Sequence, residues 1–274
     1  MTKRIDDLSV VLTSFAYREE YFPELEGLLA TVRRHHPNWP IVAGRGPVSG
    51  FELPTMEVES PLGKCHRSLP VPLNLNGNVA GSVDDWRKIT KMKAWWVTEV
   101  FREFGSLAGQ PRRVLWLDAD ARLNGPLDVE LDPNAEIVAA PWWRSPKHPG
   151  YESIAGGFML FQGASNGPVT DVLKKWSDMC VAHIEKMPDP PLVPWGCGEM
   201  EVLNHILKIH PPSVGNYQLI ELDARKYLGC VEDDGIPRPG ALVDQWMMGK
   251  KMKNPHTRDR QWPPPEHERR SSRA

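Results

Sequence analysis

Two aspartates, Asp118 and Asp120, stand one residue apart at the end of an apolar run, in the stretch VLWLDADARL at 114–123. Two carboxylates this close repel each other, and one of them is driven to take up a proton unless a cation lies beside them. Mg²⁺ and Mn²⁺ prefer oxygen ligands, keep several waters and commonly share phosphate oxygens with a substrate. The spacing therefore predicts a metal site, held by Asp118 and Asp120, that docks a phosphate-bearing substrate.

The alternative for the same residues is a solvated turn in which Asp120 caps a short helix. The surrounding segments favour the metal site. Residues 8–16 and 41–44 are short apolar runs typical of buried strands, and a helical pattern that begins near Pro23 lies between them. This β-α-β order favours a parallel sheet, and such sheets bind ligands at the carboxyl ends of their strands, where the aspartates lie.

The rest of the chain continues the alternation of strands and helices. The pattern predicts helices over about 85–105, 168–185 and 199–209, and strands over 113–118, 136–141, 153–162, 217–222 and 241–246. Residues 45–83, rich in Gly, Pro and Asn, are predicted to form a long functional or mobile loop. We predict the α/β class, as a three-layer sandwich with a mostly parallel central sheet and helices on both faces.

Composition narrows the class of protein. A net charge of −2 with 41% hydrophobic residues is typical of a soluble globular protein and gives no general attraction to nucleic acid or membranes. No run approaches the ~20 apolar residues of a membrane span, and the N-terminus does not resemble a signal peptide. The four cysteines form no CxxC pair, which favours a reduced, cytoplasmic protein. We expect one domain over 1–253 and a basic, Pro-rich, disordered tail over 254–274.

With these segments in this order, the chain resembles the GT-A-fold glycosyltransferases of the DxD type, which use nucleotide-sugar donors. VVLTSFA is similar to the family's first strand, and WRKITKMKAWWVTEVF to the segment before the DxD strand. SIAGGFMLF is similar to the strand that follows, WGCGEMEVLNHIL to a D/E-Q-x-x-L-N helix start, and ALVDQWMMGKKMK to a segment that closes over the pyrophosphate. The resemblance covers about residues 8–253.

This resemblance implies a Rossmann-like GT-A sandwich and a metal-dependent glycosyltransferase. Mn²⁺ or Mg²⁺ would be the cofactor, and the donor would be a nucleotide-diphosphate sugar, a UDP-sugar by the family's habit. The acceptor would be a hydroxyl group on a glycan, a lipid or a modified nucleic-acid base. Seven basic and three acidic residues in 251–274 give that tail a charge of +4, which permits a polyanionic acceptor such as DNA.

The resemblance also implies roles for individual residues. Glu199, with Asp120, stands where the family keeps its catalytic residues, Glu199 as the acid on the acceptor side. For Glu199 the alternative is an acid favoured by the helix dipole. The family often has a His as the third metal ligand; here Asp244 takes that place, and Gln245, His210 and His256 stay open. The implied donor-binding residues are Thr13, Ser14, Phe15, Arg87, Lys91, Asp118, Ala119, Gly156, Gly157 and Lys250.

Two of these groups also have a physical rationale. Arg87 and Lys91 are four residues apart and share one face near a helix N-terminus, where cations and backbone N–H groups attract phosphate. Gly156 and Gly157 lie within a predicted strand, where glycine indicates either a ligand close to the backbone or a bulge. For Arg87 and Lys91 the alternative is an ordinary solvated face of the helix.

Other classes share parts of this pattern. A phosphotransferase of the haloacid-dehalogenase type places its Asp-x-Asp on the first strand, and a sugar-nucleotide pyrophosphorylase opens with a Gly-rich loop. Neither feature occurs at those places in this chain. A non-catalytic sugar-nucleotide-binding protein of the same fold stays open, because Asp244 and Gln245 stand where the family has its His.

Overall fold

The computed structural model describes residues 3–16, 21–46, 55–60, 63–68, 83–132, 134–141, 154–185, 198–209, 219–221, 228–230 and 242–245. Within them, four α-helices are α1 (Phe22–His35), α2 (Val83–Phe104), α3 (Pro168–Glu185) and α4 (Glu199–Ile209). The strands are β1 (Lys3–Arg4), β2 (Val11–Ala16), β3 (Ile41–Arg45), β4 (Thr55–Ser60), β5 (Gly63–Ser68), β6 (Arg112–Leu117), β7 (Ala121–Leu123), β8 (Glu130–Leu131), β9 (Ile137–Pro141), β10 (Ile154–Gly163), β11 (Leu219–Glu221), β12 (Leu228–Cys230) and β13 (Val243–Gln245).

Eight strands form the central sheet, in the order β11-β9-β10-β6-β2-β3-β4-β5. At its centre β2 pairs in parallel with both β3 and β6. Six of the eight strands run in one direction, whereas β4 and β10 run in the other. The predicted α/β sandwich with a mostly parallel central sheet is confirmed.

The sheet is covered on both faces, which is why β6 is apolar at successive positions. Leu115 and Leu117 face the side of α1, in a core with Leu25 and Leu28. Val114 and Trp116 face the opposite core, which α2, α3 and α4 cover. Its large side chains include Phe161 of β10 and, from the helices, Trp96, Phe101, Trp176 and Ile206. Helices on both sides leave the ends of the strands as the place where a ligand can reach the sheet.

The predicted long loop over 45–83 is wrong for residues 55–60 and 63–68. These residues form the antiparallel pair β4–β5, which extends the sheet beyond β3. The sequences TMEVES and GKCHRS carry few apolar residues, so a search for apolar runs overlooks them. The backbone hydrogen bonds of β4 with β3 and of β5 with β4 hold this part of the sheet together.

A second, three-stranded sheet brings the C-terminal part of the chain to the aspartates. In it β13 pairs antiparallel with β7, which begins directly after Asp120, so that Gln245 lies opposite Ala121 and Asp244 opposite Arg122. The side chains of Asp244 and Gln245, like residues 246–274, lie outside the described residues. None of the helices described has the length and apolar character needed to cross a bilayer.

Candidate functional site

The two aspartates lie in a tight turn at the carboxyl end of β6, as the sequence predicts. We call residues 118–121 the carboxylate turn. It is closed by a hydrogen bond of 2.9 Å from the Ala121 N–H to the Asp118 carbonyl oxygen. The Asp118 N–H in turn donates to the carbonyl oxygen of Gly157 at 3.3 Å, so the turn is anchored to the neighbouring strand β10.

A buried lysine, Lys93 on α2, joins three of the segments singled out in the sequence. Its Nζ lies 2.9 Å from Asp118 Oδ1 and 3.0 Å from Glu199 Oε1, and it donates to the Gly156 carbonyl oxygen at 3.2 Å. Only 7% of the Lys93 side chain is exposed. These four residues, Lys93, Asp118, Gly156 and Glu199, form what we call the Lys93 cluster.

The charges of this cluster stabilise one another. Burial by itself lowers the pKa of Lys93, but Asp118 and Glu199 raise it well above its usual value. Burial by itself raises the pKa of Glu199, but Lys93 and a hydrogen bond from the Thr90 side chain bring it below its usual value. At neutral pH the lysine is therefore an ammonium and Glu199 a carboxylate.

Glu199 lies in the first turn of α4 and is buried. Its backbone carbonyl accepts a 2.7 Å hydrogen bond from Trp176 Nε1, which fixes the start of the helix against α3. A carboxylate whose pKa is lowered is a poor proton acceptor at neutral pH. The ion pair with Lys93 and the lowered pKa therefore argue against Glu199 as a general base.

Aromatic side chains line the cluster. Trp116 Nε1 donates to Asp118 Oδ1 at 2.8 Å, and the ammonium of Lys93 lies 5.2 Å from the centre of the Trp116 ring. The half-buried ring of Phe15, at the end of β2, meets the rings of Trp116 and Trp96 edge-on at 5.5 and 5.9 Å. Asp118 is thus held by the ammonium of Lys93 on α2 and by the indole N–H of Trp116 on β6.

The three predicted donor-binding residues on β2, Thr13, Ser14 and Phe15, lie in different environments. Thr13 Oγ1 accepts from Trp96 Nε1 at 2.7 Å and donates to the Val42 carbonyl oxygen at 2.8 Å, so this hydroxyl is engaged inside the core. Ser14 is fully buried on the strand face that it shares with Leu12. Of the three predicted residues, Phe15 is the one that is partly exposed beside the Lys93 cluster.

Gly156 has its close neighbours within the protein. A Cβ on Gly156 would lie 3.0 Å from Met200 and 3.1 Å from Lys93 Nζ, so the absence of a side chain makes room for the lysine. Gly156 and Gly157 also lie where the pairing of β10 with β9 is irregular, between Ile154 and Met159. The bulge that the sequence left open therefore occurs, whereas the ligand close to the backbone stays a prediction.

Lys91 and Lys93 leave α2 at different angles. Two residues along a helix correspond to a rotation of about 200°, so the two side chains lie on nearly opposite sides. Lys91 is buried, and its charge lowers the pKa of His183 on α3 after the larger effect of burial. The structure therefore brings Lys93, and not Lys91, to Asp118. The remaining predicted residues are Ala119, half-buried in the carboxylate turn, and Arg87, Lys250, His210 and His256, whose side chains lie outside the described residues.

Lys93 is the residue that sequence reasoning missed, although the pattern holds a signal for it. Ile89, Lys93, Trp96 and Val100 are spaced by four, three and four residues, which places a lysine in the apolar stripe of α2. A charged side chain in such a stripe must have a partner when it is buried. The sequence therefore indicates a buried ion pair there, but not which acid forms it.

The donor set suits a hard divalent cation in part. Asp118 and Asp120, separated by one residue, offer carboxylate oxygens of the kind that Mg²⁺ and Mn²⁺ bind. Among the side chains that the structure describes, no group of three or more His, Cys, Asp or Glu residues could hold a metal.

Comparison with solved structures finds proteins that share the fold of this chain. The chain resembles a glycosyltransferase involved in the glycosylation of the major capsid of PBCV-1, with a TM-score of 0.52 and 15% sequence identity. The alignment covers 91% of this chain and 99% of that one. By sequence, no protein family and no curated protein matches the chain. The likeness shows a shared fold over nearly the whole of both chains.

Proposed function

We propose that this protein is a glycosyltransferase that moves a sugar from a nucleotide-diphosphate donor to a hydroxyl acceptor. The observation that carries the proposal is the Lys93 cluster, which draws together the Asp-x-Asp turn, the Gly-Gly strand and the start of α4 at one strand end. The fold shared with the PBCV-1 capsid glycosyltransferase supports it independently. Strand ends of open α/β sheets are where such ligands bind.

In this reaction the bond between the anomeric carbon and the diphosphate oxygen breaks, and the electron pair leaves with the diphosphate. A new bond forms from the acceptor oxygen to the anomeric carbon, and the acceptor loses its proton. Asp118 and Asp120 would hold Mn²⁺ or Mg²⁺, with Asp244, Gln245, His210 or His256 as a further ligand. When bound, the ion supplies positive charge beside the departing diphosphate.

The chain's own residues have distinct tasks in this proposal. Lys93 fixes the direction of Asp118, together with the Trp116 indole. Glu199, an ionised carboxylate, would stabilise the positive charge that develops on the sugar, because electrostatic groups fixed in advance act most strongly in a site from which water is excluded. Lys250, on the C-terminal segment, would add positive charge at the diphosphate.

The donor is proposed to be a UDP-sugar, and the acceptor a glycan, a lipid or a modified nucleic-acid base. The test is a screen of nucleotide sugars with purified protein and Mn²⁺, scored by the release of nucleoside diphosphate with and without each class of acceptor. We expect release from at least one donor, its loss when EDTA removes the metal, and a fall of about 100-fold or more in Asp120→Asn.

Asp178→Asn is the matched control. Asp178 lies on α3 with 63% of its side chain exposed, and its substitution should leave release unchanged. If the wild type releases nothing from any donor, the catalytic proposal fails. Tight donor binding by calorimetry without release would instead favour a non-catalytic sugar-nucleotide-binding protein.

A further inference from the structure

A second buried ion pair lies on the other side of the carboxylate turn from Lys93. Arg122, the second residue of β7, forms a salt bridge of 3.0 Å with Glu24 in the first turn of α1. The two side chains are 2% and 3% exposed. Such burial costs both groups their hydration, and replacing a buried pair by apolar residues is often neutral or stabilising. Stability alone therefore does not explain why an ion pair is buried at this position.

The hydrogen bonds of Arg122 indicate what the pair does. Its Nη1 donates to the Ala121 carbonyl oxygen at 2.7 Å and, through a longer bond of 3.3 Å, to the Ala119 carbonyl oxygen. The Ala119 carbonyl belongs to the peptide unit that joins Ala119 to Asp120, and the Ala121 carbonyl to the unit that joins Ala121 to Arg122. The peptide unit between them is held by the bond from the Ala121 N–H to Asp118. Three successive peptide units around Asp120 are thus fixed.

The local structure is arranged to admit the guanidinium. Gly27 follows Glu24 by one helical turn, and a Cβ there would overlap the Arg122 guanidinium. The planar fork of arginine can bond a carboxylate on one side and carbonyl oxygens on the other, which the single ammonium of lysine cannot reproduce in the same geometry. The pair therefore ties the carboxylate turn to the body of α1.

We propose that Arg122, anchored by Glu24, is a positioning residue that sets the direction of the Asp120 carboxylate for the reaction. Asp120 touches the reacting groups in the proposed function, on which this inference rests, and Arg122 acts only through the backbone of the turn. Loss of the fork should misplace Asp120 while the strands of the sheet stay in place. A displacement of about 1 Å at a reacting centre can lower the rate about 100-fold.

The principal test is the double variant Glu24→Met/Arg122→Met, which replaces the pair by apolar side chains of similar length. We expect a melting temperature within a few degrees of the wild type and a kcat for donor hydrolysis lower by about 100-fold. By hydrogen-exchange NMR, the Ala121 amide should exchange at least about 10-fold faster, since its bond closes the turn, whereas the Leu115 amide in β6 should not change.

A second variant keeps the experiment decisive if the double variant does not fold. Arg122→Lys retains the charge opposite Glu24 but loses the fork, so Ala121 exchange should still rise and kcat should still fall. Arg4→Met is the control, because Arg4 pairs with Asp128 on the surface with both side chains about half exposed. It should alter neither measurement.

Unchanged Ala121 exchange in Arg122→Lys and in the folded double variant would overturn the inference, whatever happens to kcat. So would faster exchange with kcat within about threefold of the wild type. Faster Ala121 exchange together with reduced kcat in a thermally stable variant supports it. If the wild type itself hydrolyses no donor, the proposed function fails and the positioning role for catalysis fails with it, but the exchange rates still show whether Arg122 holds the turn.

Discussion

Replacing Lys93 with methionine would remove one positive charge from between two carboxylates while keeping a similar side-chain length. Asp118 Oδ1 at 2.9 Å and Glu199 Oε1 at 3.0 Å would lose their shared partner. Removing one member of a buried ion pair costs about 3–5 kcal/mol, because the charge left behind stays desolvated. The Asp118 side chain is 24% exposed, so we expect the lower end of this range, about 3 kcal/mol.

The pH dependence makes this prediction specific to charge. In the wild type the pKa of Glu199 lies below its usual value. The ionised carboxylate therefore stabilises the fold at pH values above the unfolded-state pKa, and this stabilisation is lost as the pH falls. In Lys93→Met the effect of burial would act without the lysine and raise that pKa, so that the variant is destabilised at high pH and relieved on protonation. The loss relative to the wild type should therefore be largest near pH 8 and shrink by about half or more at pH 5.

Urea denaturation at pH 5, 7 and 8 measures the loss directly, as the difference in unfolding free energy. Lys174→Met is the matched control, because Lys174 is solvent-exposed and pairs with Asp178 across one helical turn at 2.6 Å. Exposed pairs of this kind contribute little, so no measurable change is expected. A loss for Lys93→Met below about 1 kcal/mol at pH 8, or one that is equal at pH 5 and pH 8, would refute the reasoning.

Two further predictions concern stability. Gly27→Ala, which in an ordinary helix would stabilise, should lower the free energy of unfolding by about 1–3 kcal/mol because the new Cβ overlaps the Arg122 guanidinium; Gly125→Ala, whose Cβ would meet no atom, should change it little. Burial, with a smaller effect of the neighbouring histidine, lowers the pKa of His36 to about 4, and its Nε2 accepts the Leu127 N–H at 3.1 Å. Because the unfolded-state pKa of histidine is higher, this stabilisation is present above about pH 6.5 and is lost as the pH falls towards 4. The difference in unfolding free energy between the wild type and His36→Gln, measured in urea across that range, should therefore narrow by about 2 kcal/mol. A difference that stays constant would contradict the assignment.

Much of the fold follows from patterns that act over short distances. The apolar runs that become β2, β3 and β6 and the helical stripes of α1, α3 and α4 are periodic enough to predict each element. The strands β4 and β5 could not be found in this way, since TMEVES and GKCHRS contain few apolar residues. The backbone of β4 pairs with β3 and that of β5 with β4, and such pairing leaves no periodic signature in the side chains.

The sequence by itself determined that two aspartates follow a buried strand and therefore lie at the carboxyl end of a sheet. It also placed a lysine in the apolar stripe of α2 and an arginine directly after the turn. Only the tertiary structure decided their partners, because Lys93 meets Asp118 and Glu199, and Arg122 meets Glu24, across separations of 25 to 106 residues. Periodicity fixes the face of the element on which a charged residue lies, but the register and packing of distant elements decide which oppositely charged residue lies next to it.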